Sequence, residues 1–330
     1  MKSYPLNFGK DSMNKQKLEN YNLTGSIHTL SVKSPGIVED IQKEVSNCIT
    51  ANSQTKNNQP TTTSIINPNK LVGDVFAYSE FETVFNTILA GAGIKNYNIV
   101  RADMRFDNYD PEHYRAYAKL NRYLISALAV TYKVKNAYRT ANLFNQQQLS
   151  VAIKNDYFEC ENYDRAAKSE ITENKTEPAQ SRLEERTTSR QWRRINEKAK
   201  PEELEIVSDW NIYALKREFT DGWFERWDKA IKNLDLVQQT YNDELEKLYN
   251  ADKNSYPCRF RSMTDFILQY QDCIFTRKQL IDLFTRLGVE NPIRRAKNHK
   301  QRYGIEFFSK ADVQRAIDEV KRATKDFFEQ

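Results

Sequence analysis

The chain has 330 residues, of which 39% are hydrophobic and 29% are charged, and its formal net charge is +5. This length suffices for two domains, and a cytoplasmic protein is expected because the chain has no run of about 18 apolar residues and no apolar signal-peptide core. Four scattered cysteines without a CxxC pair, and only three histidines, argue against a disulfide scaffold, a zinc site and a His-based catalytic site.

The first third of the chain predicts two short strands and one helix. Residues 1–25 are polar and predict a loose N-terminal segment, and 26–35 alternates like a strand. The Asn/Thr-rich stretch 46–63 predicts a connector with little core potential. A short strand is expected to end at Asn67-Pro68, and 78–93 predicts a helix that closes at two glycines.

The middle of the chain predicts further strands, and the rest predicts helices. The strand 97–107 precedes an apolar helix, and further strands are expected at 131–136, 148–154, 157–163 and 181–187. From residue 200 onward the pattern is helical. Short connections between the late strands favour an antiparallel sheet, so the expected fold class is α+β, with a central antiparallel sheet and a mostly helical C-terminal region.

The positive charge is concentrated at the C-terminus. Residues 257–330 hold 15 Lys and Arg against 10 Asp and Glu, so they account for the whole net charge of +5. Within them, 291–303 has no acid and follows an amphipathic helix that starts at Thr276. A basic segment, a short strand and a second long helix are expected next, as in a small winged or helix-turn-helix module. The candidate DNA-binding residues are Arg294, Arg295, Lys297, Lys300 and Arg302. A helical cap packed on the sheet is the alternative.

The strand 97–107 has an unusual pattern of charges. Its apolar residues alternate with Arg101, Asp103, Arg105 and Asp107, which places four charges on one face. By the same alternation, Glu159, Glu161, Tyr163, Arg182 and Glu184 could join them on one open sheet surface. Carboxylates without histidine suit a hard cation such as Mg²⁺ or Mn²⁺, and Arg101, Arg105 and Arg182 could hold phosphate oxygens. The alternative is a solvated face of cross-strand ion pairs, each contributing about 0.2–1 kcal/mol.

Five short motifs carry a resemblance to a known family. They are "HTLSVKS" at 28–34, "NPNKL" at 67–71, "RADMRFD" at 101–107, "ENYDRAAKSE" at 161–170 and "SRLEE" at 181–185. In this order and at this spacing they resemble the replication initiation factor (Rep_trans) family, the initiators of small Gram-positive rolling-circle plasmids. The resemblance covers roughly residues 26–190 and implies a catalytic sheet of the HUH-nuclease type with helices on one face.

The resemblance also implies a site and an activity. Tyr163 would be the nucleophile, assisted by Arg165, and Asp103, Asp107 and Glu184 would hold Mg²⁺ or Mn²⁺. The family nicks one strand of a replication origin through a phosphotyrosine intermediate, which leaves a 3′ hydroxyl for a polymerase. Its partners would be double-stranded origin DNA, single-stranded DNA, a second copy of the chain and a host helicase.

Two differences from the family pattern keep other functions open. Asp164-Arg165-Ala166 follows the tyrosine where the family has Asn-Lys-Lys, and two glutamates precede it. The alternatives are therefore a conjugative relaxase with the same chemistry and a non-catalytic origin-binding protein. The expected organisation is a flexible segment (1–25), a nicking domain (26–190), a helical connector (191–255) and a DNA-binding region (256–330).

Overall fold

The computed structural model describes residues 22–110, 113–134, 151–164, 181–197 and 207–330, and within them the fold is α+β. Seven strands form one antiparallel sheet in the order β2-β3-β1-β4-β7-β6-β5. The strands are β1 (Thr24–Pro35), β2 (Ile49–Lys56), β3 (Gln59–Ile66), β4 (Asn98–Asn108), β5 (Val151–Lys154), β6 (Phe158–Asp164) and β7 (Ser181–Thr187). The expected fold class and central antiparallel sheet are confirmed.

Helices occupy most of the remaining described chain. They are α1 (Asn69–Val72), α2 (Tyr78–Gly91), α3 (Tyr114–Thr131), α4 (Ser189–Glu197), α5 (Val207–Arg217), α6 (Trp223–Ala230), α7 (Leu234–Lys253), α8 (Met263–Gln269), α9 (Arg277–Arg286), α10 (Pro292–Tyr303) and α11 (Lys310–Glu329). A π-helical turn, Glu218–Gly222, joins α5 to α6. In the described part of the chain, no helix combines the length and apolar character needed to cross a bilayer.

The apolar face of the sheet packs against helices. Helix α3 lies against β5, β6 and β7, and α11 lies against β1. The even-numbered side chains of β4, Ala102, Met104 and Phe106, are fully buried there because strand alternation sends them all to this face. The side chains of Trp223 and Trp227 are also fully buried and form part of the core between the helices.

A close backbone contact joins the first strand to the last helix. A Cβ atom added at Gly25 of β1 would lie 2.8 Å from the carbonyl oxygen of Ala323 in α11. Because real Cβ atoms do not approach a backbone oxygen so closely, only glycine fits at this position without a shift of the helix. The C-terminal helix is therefore seated directly on the sheet.

The prediction of a connector at 46–63 is wrong. This stretch forms most of the hairpin β2–β3, whose two-residue turn is Asn57-Asn58 with φ values of 50° and 59°. Asparagine tolerates the left-handed region, and two such residues in succession give the hairpin turn that matches strand twist. The Thr-rich composition that suggested a polar connector suits exposed strand surface equally well.

Two further predicted elements are wrong. The strand expected at 131–136 does not begin at Thr131, because α3 continues to that residue and a turn follows at 132–134; residues 135 and 136 lie outside the described part. In the C-terminal region, 291–303 is not an open basic segment but forms helix α10, and 305–308 is not a strand. Proline at the first position of α10 and Gly304 after its end supply the start and stop signals.

The C-terminal helices share a core with the sheet domain. The ring of Phe275 stacks on Tyr123 of α3 with centroids 4.4 Å apart. Lys119 of α3 donates a hydrogen bond from Nζ to the carbonyl oxygen of Glu306 at 2.7 Å. Since the buried residues of both parts belong to one hydrophobic cluster, the C-terminal region is held in place on α3.

Candidate active site

The register of β4, β7 and β6 brings the predicted site positions together. Residues directly opposite each other in neighbouring antiparallel strands share a face of the sheet. Three cross-strand rows result, and together with Arg101 they are called the charged ladder here: Asp107–Arg182–Tyr163, Arg105–Glu184–Glu161 and Asp103–Arg186–Glu159. The predicted convergence of Asp103, Asp107, Glu184 and the Tyr163 strand position on one face is therefore present in the backbone pairing.

The Asp107–Arg182 end of the charged ladder is buried, which corrects the expectation of an open sheet surface. The side chains of Asp107 and Arg182 are only 1% and 2% exposed. Arg182 donates from Nε to Asp107 Oδ1 at 2.5 Å and from Nη2 to Oδ2 at 2.8 Å, a two-pronged ion pair. Arg101, with 41% of its side chain exposed, lies at the edge of the ladder.

The other two predicted metal ligands are also bound by arginines. Asp103 accepts hydrogen bonds from Nε and Nη2 of Arg101 at 2.8 and 2.9 Å. Burial raises the pKa of Asp103, and the hydrogen bonds from Arg101 offset part of that rise. Glu184 accepts from Arg186 Nε at 3.0 Å and forms a second, shorter contact with Arg186 Nη2.

Arg186 is the hub of the outer part of the ladder. Besides Glu184 it contacts Glu159 at 2.7 Å and Glu161 at 2.8 Å. Burial alone would lower the pKa of its guanidinium, but Glu184, Glu161 and Glu159 outweigh burial and hold that pKa above its ordinary value. One cation thus contacts three carboxylates, and it reduces the repulsion between the two glutamates of β6.

The carboxylates do not fit a resident divalent cation in this arrangement. Mg²⁺ needs nearly octahedral oxygen ligands at about 2.0–2.1 Å. The oxygens of Asp103, Asp107 and Glu184 are instead occupied by guanidinium donors. In the described ranges there is also no group of three or more His, Cys, Asp or Glu side chains placed to hold an ion.

The NPNKL motif anchors the ladder to the start of α1. Asn69 donates from Nδ2 to the carbonyl oxygen of Ile27 at 3.2 Å and accepts from the backbone N–H of Val75 at 3.1 Å. Its Oδ1 also accepts from Arg105 Nη2 at 3.2 Å, and Arg105 forms an ion pair with Asp74. The motif therefore has a structural role: it folds the chain after β3 over the middle of the charged ladder.

Sequence patterns did not identify His28, which lies on β1 beside the charged ladder. It occupies an irregularity in the β1–β4 register, between the pairs made by Ile27 and Thr29. Burial lowers its pKa to about 4; Glu184 opposes that shift, whereas Arg182 reinforces it. Nδ1 has no hydrogen-bond partner among the described residues. His28 is thus a neutral imidazole at pH 7, and its position in "HTLSVKS" was the available signal.

The nucleophile candidates are placed differently by the structure. Tyr163 lies at a position of β6 that pairs with Arg182 of β7. Arg165 lies outside the described residues. Tyr114, Tyr117 and Tyr123, on the helix after β4, are alternative nucleophiles by sequence, and of these Tyr117 and Tyr123 are buried. Burial raises the pKa of both phenols, so neither forms a phenolate readily at neutral pH.

A further buried carboxyl group lies on the opposite, helix-facing side of the sheet. Glu185 of β7 accepts a hydrogen bond from the indole N–H of Trp227 at 2.5 Å. Its burial raises its pKa to about 8, and the Trp227 hydrogen bond offsets part of that rise. Glu185 is therefore mostly protonated at pH 7, and sequence alternation could place it on this face but could not show its isolation from solvent.

The predicted DNA-binding residues share one helix. Arg294, Arg295, Lys297, Lys300 and Arg302 all lie on α10, and all five are exposed. The opposite side of the helix is buried through Ala296 and His299, whose ring lies 5.2 Å from that of Phe284 in α9. The buried side fixes the helix on the protein and leaves its basic side facing solvent.

Comparisons with known proteins identify no relative of this chain. No protein-family model, no curated protein and no solved structure matches it. Its function is therefore inferred from the ladder, from the strand position of Tyr163 and from the basic helix α10.

Proposed function

We propose that the chain is a cytoplasmic rolling-circle replication initiator that nicks origin DNA and transfers the strand through a phosphotyrosine. The observation that carries the proposal is the cross-strand row Asp107–Arg182–Tyr163. It pairs the tyrosine of the ENYDR motif with the arginine of SRLEE, and that arginine with the last aspartate of RADMRFD. Three motifs far apart in the sequence thus meet at one row, as a shared site requires.

The proposed reaction is a transesterification. The phenol oxygen of Tyr163 attacks the phosphorus of one phosphodiester, and the bond from phosphorus to the 3′ oxygen breaks. The phenolic proton leaves the tyrosine, and the departing 3′ oxygen gains a proton, so no other reactant is consumed. The 5′ phosphate stays on the protein, and the free 3′ hydroxyl can prime a polymerase. Religation is the same reaction in reverse.

The arginines divide into two roles in this proposal. Arg105 and Arg182 are buried and already paired with Asp74 and Asp107, so they orient the site and set its charge. Arg101 is the exposed one of the three predicted phosphate-binding arginines. A phosphate oxygen can reach Arg101 without breaking the buried Asp107–Arg182 pair. Arg101 is therefore proposed as the first phosphate contact.

The proposed nicking reaction is expected to depend on a divalent cation. The family resemblance implies Mg²⁺ or Mn²⁺, but Asp103, Asp107 and Glu184 are bound by arginines in this arrangement. A metal-dependent reaction would require at least one of these pairs to open when DNA binds. Action as a homodimer, and transfer of the nicked origin to a host helicase, are proposed with the same basis in resemblance.

One observation favours a second candidate, an origin-binding protein without nicking activity. Within the charged ladder every carboxylate contacts an arginine, so the ladder can be explained as a stabilising network alone. Such a protein would keep the DNA-binding helix α10 and would form no covalent adduct. A conjugative relaxase would form the adduct, but at a transfer origin.

A nicking assay separates these functions. Wild-type protein is incubated with a library of supercoiled plasmids carrying random 60-bp inserts, with Mn²⁺, Mg²⁺ or EDTA. We expect relaxed circles with protein attached at the 5′ end after boiling in detergent, and none with Tyr163→Phe. Tyr157→Phe, a matched change just before β6, should nick like wild type. Retention of plasmid on the protein without any nicked circle in any of the three buffers would leave only the binding protein.

A further inference from the structure

The outward face of α10 has a composition distinct from the flanks of the same helix. With 3.6 residues per turn, the buried Ala296 and His299 define the inner side. The exposed residues opposite that side are Arg294, Lys297, Asn298 and Gln301. The flanks carry further positive charges: Arg295 and Arg302 on one side and Lys300 on the other. Asn298 and Gln301, absent from the predicted binding residues, thus occupy the centre of the exposed face.

Helices α9 and α10 pack as a helix-turn-helix pair. Helix α9 ends at Arg286, and Gly288 with φ 67° and Asn291 with φ 52° reverse the chain before Pro292. These left-handed residues change the direction of the chain between the two helices, which pack against each other. The N-terminus of α9 is capped by Thr276, which accepts from the Gln279 N–H at 3.0 Å.

The dimensions and chemistry of α10 fit duplex DNA. Twelve residues at 1.5 Å each give a helix of about 18 Å, and the major groove admits one α-helix. Asparagine and glutamine recognise adenine through paired hydrogen bonds, and arginine recognises guanine in the same way. Lysine and arginine on the flanks would contact the phosphates on both sides of the groove. Helix α10 contains no acidic residue that would repel the phosphates.

We propose that α10 is a recognition helix that enters the major groove of duplex DNA, with Arg294, Asn298 and Gln301 reading base edges. Lys300 and Arg302 contact the phosphate backbone. This deepens the proposed function, on whose origin binding it rests, by assigning the recognition of base sequence to α10 and naming two uncharged side chains among its determinants. The nicking chemistry at the ladder is a separate property of the protein.

The test is a selection from random duplexes. Full-length protein is bound to a pool of 20-bp random DNA duplexes, and the bound fraction is sequenced and then measured by fluorescence anisotropy at several salt concentrations. The variants are Asn298→Ala with Gln301→Ala, and Lys300→Ala with Arg302→Ala. Gln314→Ala, an exposed position on α11, is the control. Thermal melts and circular dichroism check that each variant is folded.

The proposal predicts different losses for the two pairs. Wild type and the control should enrich one sequence motif, whereas N298A/Q301A should lose preference at two or more positions of it and keep the salt dependence. K300A/R302A should keep the motif, with a slope of log affinity against log salt smaller by about 2. Absence of an enriched motif in the wild type, an unchanged motif in N298A/Q301A, or equal binding of an RNA duplex of the selected sequence would each overturn the proposal.

The outcome is independent of the nicking reaction. If α10 reads a motif but no covalent adduct forms, the recognition helix stands and the nuclease proposal fails. If an adduct forms on DNA while the α10 variants select the same motif as wild type, the nuclease proposal stands and the recognition helix fails.

Discussion

Removing one partner of the buried Asp107–Arg182 pair should destabilise the protein strongly. In Arg182→Met, the Asp107 carboxylate stays 1% exposed and keeps Arg105 Nε at 3.4 Å as a cationic neighbour, while the two bonds at 2.5 and 2.8 Å are lost. Breaking a buried pair in this way costs about 3–5 kcal/mol, and the low end of that range is expected because Arg105 still compensates part of the remaining charge. Urea denaturation followed by tryptophan fluorescence measures the loss, since Trp223 and Trp227 are buried.

Two matched variants decide whether burial is the cause. Arg217→Met breaks an exposed pair, with Arg217 and Asp221 57% and 71% exposed, and should cost less than about 1 kcal/mol. Combining Asp107→Leu with Arg182→Met removes both charges and should recover much of the lost stability. If R182M costs no more than R217M, the ladder is not a buried ion-pair network and the site description is wrong.

Three further changes test other parts of the structure. Glu185→Gln should flatten the pH dependence of stability. The folded pKa of about 8 lies above the ordinary 4.5, so wild type loses about 1.4 kcal/mol of unfolding free energy per pH unit as pH rises through that interval. Equal slopes for wild type and variant in urea denaturation at pH 5–8 would refute this. His28→Gln should reduce the loss of stability at acid pH: the folded pKa of about 4 lies below 6.5, so wild type loses stability as pH falls from 6.5 to 4, and a variant that loses as much contradicts the half-buried neutral imidazole. Gly25→Ala should cost about 1–3 kcal/mol, because the new methyl group meets Ala323 in α11; an unchanged melting temperature would show that this contact is loose.

The β4 strand shows how much of the site sequence alternation could predict. Alternating apolar and charged residues placed Asp103 and Asp107 on one face and Met104 and Phe106 on the other, as the structure has them. Alternation predicts which face of the sheet each residue lies on, but it does not predict which strand is the neighbour or in what register the two strands pair. The pairing of Asp107 with Arg182 depends on the register of β4 with β7, which lie 75 residues apart.

Burial was the part of the site that local pattern could not supply. Four charges on one strand face normally indicate that the face is exposed to solvent, because burying an isolated charge costs much free energy. Here the opposite charges of β4 and β7 compensate one another, and Asn69 and Asp74 close over Arg105. These partners come from distant segments, so only the assembled fold shows that the face is enclosed.

The C-terminal region contains a helix, α10, that the sequence pattern did not predict. The sequence predicts a basic segment at 291–303 between a helix and a short strand, whereas this segment is a helix. Only Ala296 and His299 are buried from α10, which is too few for a clear periodic signal. The Asn291-Pro292 start and the Gly304 stop were the local signals that identify this helix.

The most direct test of the central claim is to locate the tyrosine that becomes linked to DNA. Covalent adducts from the plasmid library are digested with nuclease and trypsin, and the nucleotide-bearing peptide is identified by mass spectrometry. The account predicts a nucleotide on Tyr163, with the adduct abolished in Tyr163→Phe and unchanged in Tyr157→Phe. A nucleotide on any other tyrosine, or an undiminished adduct in Y163F, would contradict it.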